Sequence, residues 1–519
     1  MRELPSSLKL HVEGHLSAAD AERQQRSAAE ILERFTQQPG VILGDEVGMG
    51  KTFVALAVAA AFAVRDASRP VVVMVPSAVL PKWQRDAATF REACLTDPEE
   101  RARFRVRAVR SGVEFLKLLD DPIHEKASLI LLPHGALHRK LADGWVKLAI
   151  LRASIKGRHG VDDLRQRLAR FGPMLLRHAG APDRHFDAYM RLLKAPLSEW
   201  RRILQAAELP APEDDDPVPL MFDDILDRIS LDDVFQRVVE LLPERRSDKL
   251  TQRIRDARQA LDNSRDGVVA AVWRKCLGSM KHDLPLLILD EAHRARHAGT
   301  RLASLLEAQE ESRDAGGQLA GAFDRMLFLT ATPFQLGHAE LHSVLSRFSA
   351  IRWTGVHAPS PGKEAFTQTI DALLVNLNDM QLATDRLERA WKNLLPPDIE
   401  EAVHSLGEDW WAAMAVEAGF LQGSGLRNER ALAVIRSYAS ARHSIRKAEQ
   451  GLRPWVLRHA RPLHLPAEER ASHPIPRRRR IEGAKVRGEI EVGAGESSGG
   501  LRISGEGVLP FFLAARLSS

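Results

Sequence analysis

The 519-residue chain is poor in cysteine, in aromatic residues and in long apolar runs. Two cysteines, Cys94 and Cys276, support neither a disulfide framework nor a thiolate zinc cluster. No run approaches the roughly 18 to 20 apolar residues that cross a bilayer, and the first residues lack a signal-peptide core. Aromatic residues make up 6% of the chain, which disfavours a platform that stacks several bases. We therefore expect a cytoplasmic protein with no membrane partner.

The remaining composition is that of a globular protein with several domains. Apolar residues make up 44% of the chain, which is enough for large cores. The length corresponds to about three domains of ordinary size. A net charge of +5 permits binding to a polyanion without requiring it. Histidine pairs occur at i, i+4 spacing, but none has the His-Glu-x-x-His order, so no zinc site is expected.

The strongest pattern is a glycine-rich loop at residues 44–52, Gly-Asp-Glu-Val-Gly-Met-Gly-Lys-Thr. An apolar run precedes it and an alanine-rich helical segment follows, and this context is typical of a phosphate-binding loop. Gly48 and Gly50 allow backbone N–H groups to close around phosphate oxygens. Lys51 can reach the terminal phosphates, and Thr52 can offer its hydroxyl to Mg²⁺. The alternative is a strand-to-helix turn without a ligand.

A second pattern lies far downstream, where Asp290 and Glu291 follow the apolar run 286–289. A continuous apolar run is expected of a parallel strand buried on both faces, and ligands bind beyond the carboxyl ends of such strands. Asp290 can hold Mg²⁺, and Glu291 can deprotonate an attacking water. The alternative is a pair of acidic helix caps. Together with the glycine loop, the pair predicts an ATPase that uses ATP and Mg²⁺.

Several apolar runs, each followed by a polar turn, predict the fold class. We expect an α/β protein with a mostly parallel sheet and crossover helices. The predicted strands are residues 41–43, 71–75, 129–132, 286–289 and 326–329.

In their order and residue sequence, these motifs resemble the first motor lobe of superfamily 2 helicases of the Swi/Snf-like branch, which are DEAH-box ATPases. The generic loop has glycine where Asp45 stands, and aspartate at this place is the variant of that branch. Residues 45–48 are especially similar to bacterial RapA-like members. The strand that ends Val75-Pro76-Ser77, with Trp83-Gln84 after it, looks like motif Ia, and residues 132–137 look like motif Ib. The DEAH box at residues 290–293 corresponds to motif II, and residues 330–333 look like motif III.

The resemblance implies a RecA-like lobe and assigns a role to individual residues at its nucleotide site. Gln25 lies in a segment similar to the one that reads adenine. The implied ATP-binding residues are Gln25, Asp45, Gly48, Met49, Gly50, Lys51 and Thr52, with Lys51 and Glu291 catalytic and Thr52 and Asp290 on Mg²⁺.

The resemblance also implies residues that connect the nucleotide to a nucleic acid. His293, Thr330 and Thr332 would couple the nucleotide state to the grip on DNA. Motifs Ia and Ib would touch the phosphate backbone of one strand, with Lys82, Arg85 and His134 nearby, and such contacts position without reading bases.

Motors of this branch need a second RecA-like lobe, which supplies arginine fingers. Residues 459–519 contain no matching motif and do not resemble an α/β unit. We therefore expect the first lobe only, a second lobe in cis beyond this chain or in trans, and slow hydrolysis by this chain alone. Arginine fingers raise such rates by roughly 10³- to 10⁵-fold.

The organisation expected from these motifs has two helical insertions in the lobe. Periodic apolar residues such as Ile225 and Val234 predict helices in the first insertion. The second insertion holds three tryptophans, including Trp391, which we expect mostly in a small core of its own. The expected segments are 1–140 (lobe, first part), 141–283 (helical insertion), 284–355 (lobe, second part), 356–450 (helical arm) and 451–519 (linker and possible start of a second lobe).

The leading hypothesis is an ATP-dependent translocase or helicase-like motor on double-stranded DNA. One alternative is a nucleotide-gated assembly module that contacts protein partners through the insertions, and another is an RNA helicase. The similarity of residues 45–48 to RapA-like members suggests a bacterial source. A role in transcription or in antiviral defence follows only by analogy.

Overall fold

The computed structural model describes most of the chain up to residue 459. The described residues are 3–11, 17–45, 48–66, 68–137, 141–176, 185–209, 216–244, 250–262, 267–279, 283–297, 300–307, 317–330, 338–406 and 426–459. They form two compact units, of which the first comprises residues 1–43 and 50–371 and the second residues 44–49 and 372–519.

A parallel sheet is the centre of the first unit. Its strands lie in the order β3-β4-β2-β5-β6-β1, and every adjacent pair is parallel. The strands are β1 (Gly40–Leu43), β2 (Val71–Val75), β3 (Val106–Ala108), β4 (Leu129–Pro133), β5 (Leu284–Leu289) and β6 (Phe323–Leu329). All except β3 are buried along their whole length, as expected for parallel strands that are covered on both faces. The predicted α/β class and its five strands are confirmed.

Helices of ordinary length cover the sheet, and α1, α2 and α3 pack beside one another, with α2 against β2 and β5. Alanine, valine and phenylalanine fill α2, so this helix is apolar on every side and buried. The helices outside the insertions are α1 (Ala18–Arg34), α2 (Lys51–Ala63), α3 (Leu80–Thr89), α4 (Pro98–Arg103), α5 (Gly112–Asp120), α14 (Arg301–Leu305) and α15 (His338–Ser346).

Between β4 and β5 the described residues form helices, as predicted for the first insertion. Helix α6 lies at their centre, because it contacts α7, α8, α10, α11 and α13. Ile225 and Val234, which carried the periodic pattern, are buried in this group. Its helices are α6 (Gly144–Ile155), α7 (Asp162–Leu176), α8 (Phe186–Lys194), α9 (Trp200–Ala206), α10 (Phe222–Leu226), α11 (Asp232–Leu241), α12 (Leu250–Asp262) and α13 (Val268–Ser279).

The second unit is largely helical in its described part. Most of α16 (Lys363–Lys392) belongs to it, and α17 (Pro396–Leu406), α18 (Glu429–Leu452) and the short strand β7 (Val456–Leu457) follow. A small apolar core joins α17 and α18. Trp391 is 45% exposed, so the expectation of a core position is wrong for this tryptophan. The predicted boundaries of the insertions stay predictions.

No described helix is long and apolar enough to cross a bilayer. Within the same residues, no group of three or more histidine, cysteine, aspartate or glutamate side chains lies together as a metal site.

A buried ion network closes the amino end of the sheet. Asp324, at the start of β6, accepts hydrogen bonds from Arg69 and from Arg352, and its side chain is 4% exposed. The Asp283 carboxylate, before β5, contacts the same two arginines. Burial disfavours the charge of Arg69, but the hydrogen bond and charge of Asp324, with help from Asp283, outweigh it and raise the pKa of Arg69. The network therefore joins the amino ends of β2, β5 and β6 to one another and to the segment that holds Arg352.

Removal of the central carboxylate should destabilise the first unit. We expect Asp324→Ala to lower the free energy of unfolding by up to about 3–5 kcal/mol, because Arg69 and Arg352 lose their buried partner and keep only the exposed carboxylate of Asp283. Urea denaturation followed by circular dichroism measures the loss. Asp227→Ala, which removes the exposed partner of Lys156, is the matched control and should cost about 0.2–1 kcal/mol. Equal losses for the two variants would contradict a stabilising role for the buried network.

Candidate active site

The amino end of α2 carries Gly50, Lys51 and Thr52, the last residues of the predicted phosphate loop. Gly50 caps the helix with a φ of 82°, a backbone conformation that glycine adopts without strain. The first turn of α2 holds no acidic residue, so no side-chain carboxylate there cancels the positive end of the helix dipole. Lys51 and Thr52 are partly exposed. This helix end therefore has the chemistry of an anion site.

Gln24, rather than the predicted Gln25, lies beside this helix end. Gln24 is 1% exposed, and a Cβ added to Gly50 would stand 2.1 Å from its Nε2 atom. Gln25 is exposed on α1. The apolar residues of α1 recur at helical spacing, and Gln24 shares their buried face. That spacing is the signal in the sequence that could have identified Gln24.

Residues at the start of the loop belong to the second unit, where Asp45 contacts His459. Asp45 is fully buried, and its Oδ1 accepts the backbone N–H of His459 at 2.7 Å and lies 3.2 Å from the ring Nδ1 of His459. The Gly44 N–H donates to Leu457 O at 2.8 Å. These bonds tie the start of the loop to the strand β7 and its end. Asp45 therefore anchors the start of the loop, a role that the sequence did not indicate. Its contact with ATP stays a prediction.

Gly48 and Met49 complete the described part of the loop. Gly48 is exposed and has a φ of 86°, and Met49 is 7% exposed. Their contacts with ATP stay predictions, and Glu46 and Val47 lie outside the described residues.

The predicted acidic pair lies at the carboxyl end of β5. The Asp290 carboxylate accepts two hydrogen bonds, one from the indole Nε1–H of Trp83 to Oδ2 at 2.8 Å and one from the backbone N–H of Glu291 to Oδ1 at 2.9 Å. Glu291 has a φ of 54°, which is uncommon for a residue with a side chain and often marks a functional site. Its carboxylate is 38% exposed and accessible to a water molecule.

His293 lies next to the predicted base. Its Nδ1 is 3.1 Å from Oε2 of Glu291, but the two groups are not aligned as a hydrogen bond. A small rotation of either side chain would make the bond. His293 is thus within reach of Glu291, as a residue that relays a signal would need to be, and the coupling role stays a prediction.

The predicted motif III residues are described only in part. Thr330 is 3% exposed, and its backbone N–H donates to Leu43 O at 3.1 Å, which joins the ends of β6 and β1. Thr332 lies outside the described residues.

The predicted nucleic-acid contacts differ in their surroundings. Lys82 is 58% exposed on α3, and its Nζ lies 2.8 Å from Oδ2 of Asp86. Arg85 is exposed on the same helix. Both cations are exposed on one helix, and their contact with nucleic-acid phosphates stays a prediction, for which Lys82 would have to leave Asp86.

His134, at the end of β4, has a different environment. Its ring Nε2 is enclosed and has no hydrogen-bond partner among the described residues. Burial, together with the charges of Arg294 and His293, lowers the pKa of His134 to about 4, although hydrogen bonds to the carbonyl groups of Met74 and Asp290 act in the opposite direction. His134 is therefore neutral at pH 7 and offers no positive charge to a phosphate.

The donor set suits a magnesium–nucleotide complex. Mg²⁺ prefers oxygen ligands and is usually held by one or two carboxylates together with phosphates and water. The Thr52 hydroxyl and the Asp290 carboxylate offer oxygen atoms of the kind that Mg²⁺ prefers, and the two residues follow β1 and β5 at the same edge of one parallel sheet. Each Asp290 oxygen accepts one hydrogen bond, which leaves it capacity for a cation. The residues present therefore fit the ion.

The fold and the site define the class as an α/β, RecA-like lobe with polar residues at the carboxyl edge of its sheet. Residues 23–97 match the SNF2-related domain family. This match supports kinship with Snf2-like superfamily 2 helicases, a family of nucleotide-binding, ATP-dependent motors that act on nucleic acid. No curated protein matches the chain at a significant level. The DEAH-box, RapA-like and first-lobe details stay predictions, because the match ends before Asp290.

The environment of His134 leads to a test by pH titration. We expect its ring signals in NMR spectra, assigned by their loss in His134→Asn, to titrate near pH 4. The unfolded chain takes up this proton at a higher pH, so the histidine lowers stability as pH falls from about 6.5 towards 4 and has no such effect above 6.5. His134→Asn should therefore lose less stability than the parent between pH 7 and pH 5. A ring titration near 6.5 would contradict the assigned burial.

Proposed function

We propose that this chain is the ATP-binding lobe of a translocase that couples ATP hydrolysis to movement on double-stranded DNA. One observation carries the proposal. Gly50–Thr52 come after β1 and Asp290–Glu291 come after β5, so both groups lie at the carboxyl end of the same parallel sheet. The match of residues 23–97 to the SNF2-related domain family supports the motor class.

The proposed chemistry assigns one task to each group. Lys51 binds the terminal phosphates, and backbone N–H groups at the start of α2 donate hydrogen bonds to the phosphate oxygens. Glu291 orients the attacking water and takes its proton as the water oxygen bonds to the terminal phosphorus. The bond from that phosphorus to the bridging oxygen breaks, and ADP is the leaving group. Bound Mg²⁺, held by Thr52 and Asp290, would neutralise charge on the phosphates.

The proposed coupling runs from the nucleotide to a nucleic-acid strand. His293, Thr330 and Thr332 would carry the change at the terminal phosphate to the strand-binding segments. Lys82 and Arg85 would bind backbone phosphates from α3, while His134 could serve only as a neutral hydrogen-bonding group. A second RecA-like lobe, in cis or in trans, would supply arginine fingers and close over the nucleotide.

A substitution of the proposed base tests the chemistry. Glu291→Gln should bind ATP as tightly as the parent and hydrolyse it about 10²- to 10⁴-fold more slowly, because the amide cannot accept the proton. Single-turnover hydrolysis with protein in excess over radiolabelled ATP measures the rate even when turnover is slow. Lys51→Ala should instead weaken ATP binding.

Glu99→Gln provides a matched control for this substitution. Glu99 is exposed on α4, where it pairs with Arg103, so its variant should hydrolyse ATP at the parental rate. If Glu291→Gln also hydrolyses at that rate, Glu291 is not the base. If the parent binds no ATP, the proposed function itself is wrong.

The polymer can be identified by the stimulation of hydrolysis. We expect duplex DNA to raise the ATPase rate more than single-stranded DNA or RNA of equal length, because contacts to backbone phosphates need no exposed bases. Lys82→Ala and Arg85→Ala together should reduce the stimulation and its salt dependence without changing the rate in the absence of a polymer. Stronger stimulation by RNA would favour an RNA helicase. No stimulation by any polymer would favour an assembly module.

A further inference from the structure

Trp83 lies in the segment predicted as motif Ia, which gives it no individual role, and it is a buried residue that contacts the proposed magnesium ligand. It lies on α3, is 2% exposed, and donates its indole N–H to Asp290 Oδ2 at 2.8 Å. The two residues are 207 positions apart in the chain. A buried indole N–H requires a partner, and here the partner is a carboxylate.

The two hydrogen bonds on Asp290 act on different oxygens. Trp83 holds Oδ2, and the backbone N–H of Glu291 holds Oδ1. One donor on each oxygen fixes the rotation of the carboxylate about its Cβ–Cγ bond, which a single donor would not do. Hydrogen bonds to an ionised acceptor are also roughly twice as strong as those between neutral groups.

The position of Trp83 is itself well determined. Strand β2 ends at Val75, Pro76 follows, and a 3₁₀ turn leads into α3, which has Pro81 near its start. Trp83 and Ala87 form the buried side of the helix, while Lys82 and Arg85 are exposed. The indole is thus fixed by packing, and it can impose its direction on the carboxylate.

We propose that Trp83 is a positioning residue that orients Asp290 for Mg²⁺. The proposal rests on the proposed function, in which Asp290 is a magnesium ligand. Partners that orient a metal ligand typically change metal affinity or activity by about 10- to 100-fold when they are lost. Trp83 would act through Asp290 and would touch neither the nucleotide nor the ion.

Trp83→Phe removes the N–H donor and keeps an aromatic ring in the core. The readout is the affinity of Mn²⁺ for the complex of the full chain with ADP, followed by the electron paramagnetic resonance of free Mn²⁺. We expect the affinity to fall about 10- to 100-fold. Trp200→Phe is the matched control, because Trp200 is fully buried and donates its indole N–H to Leu192 O at 3.0 Å within the helical insertion. Its Mn²⁺ affinity should equal that of the parent.

Asp290→Ala separates failure of this inference from failure of the proposed function. If Asp290→Ala weakens Mn²⁺ binding and Trp83→Phe does not, Trp83 has no positioning role, although the ligand assignment stands. If Asp290→Ala leaves Mn²⁺ binding unchanged, the ligand assignment in the proposed function is wrong, and the inference falls with it.

A second measurement uses the parental tryptophan and does not depend on the folding of Trp83→Phe. In protein labelled with ¹⁵N-tryptophan, Asp290→Asn should shift one indole resonance strongly, and Mg²⁺ with ADP should shift the same resonance in the parent. If no indole resonance responds to both changes, the proposal is wrong.

Discussion

In a parallel sheet that is covered on both faces, charged side chains are best placed at the amino and carboxyl ends of the strands. Strands β1, β2, β4, β5 and β6 are buried throughout. Ionised groups placed among them would lose their hydration without compensation. Two groups of polar residues in the described lobe lie near the strand ends. At the amino end they form the network around Asp324, and at the carboxyl end they form the candidate site.

The two edges solve the problem of buried charge in different ways. At the amino end, each charge has an opposite charge beside it. The carboxylates of Asp324 and Asp283 form ion pairs with Arg69 and Arg352. At the carboxyl end, the Asp290 carboxylate is held by an indole and an amide, and neither donor carries a charge. Its negative charge is therefore oriented but not neutralised. The paired charges at the amino end therefore stabilise the fold, whereas the Asp290 carboxylate at the carboxyl end is suited to binding a cation.

The strands and the acidic pair could be predicted from the sequence because local patterns encode them. Long apolar runs identify β2 and β5, and Asp290 follows β5 directly. Strands β3 and β7, with three and two residues, are too short to leave a pattern. Helical spacing marks the buried face of α1, on which Gln24 lies, whereas Gln25 is exposed and its contact with ATP stays a prediction.

Other features depend on contacts that no local pattern records. The indole of Trp83 and the carboxylate of Asp290 meet only after folding, and the enclosure that keeps His134 neutral is built by several strand ends. The resemblance to a motor lobe suggested where a nucleic acid would bind, but it could not show that His134 lacks a charge. Physical context, rather than residue type, decides that point.

The bond between Asp45 and His459 has a consequence for biosynthesis. The two residues are separated by 414 positions, and Asp45 is fully buried beside the later segment. On the ribosome, the aspartate emerges long before its partner exists. The start of the glycine loop therefore cannot reach its final form until nearly all of the described chain has been translated, and a polypeptide released early would lack this anchor.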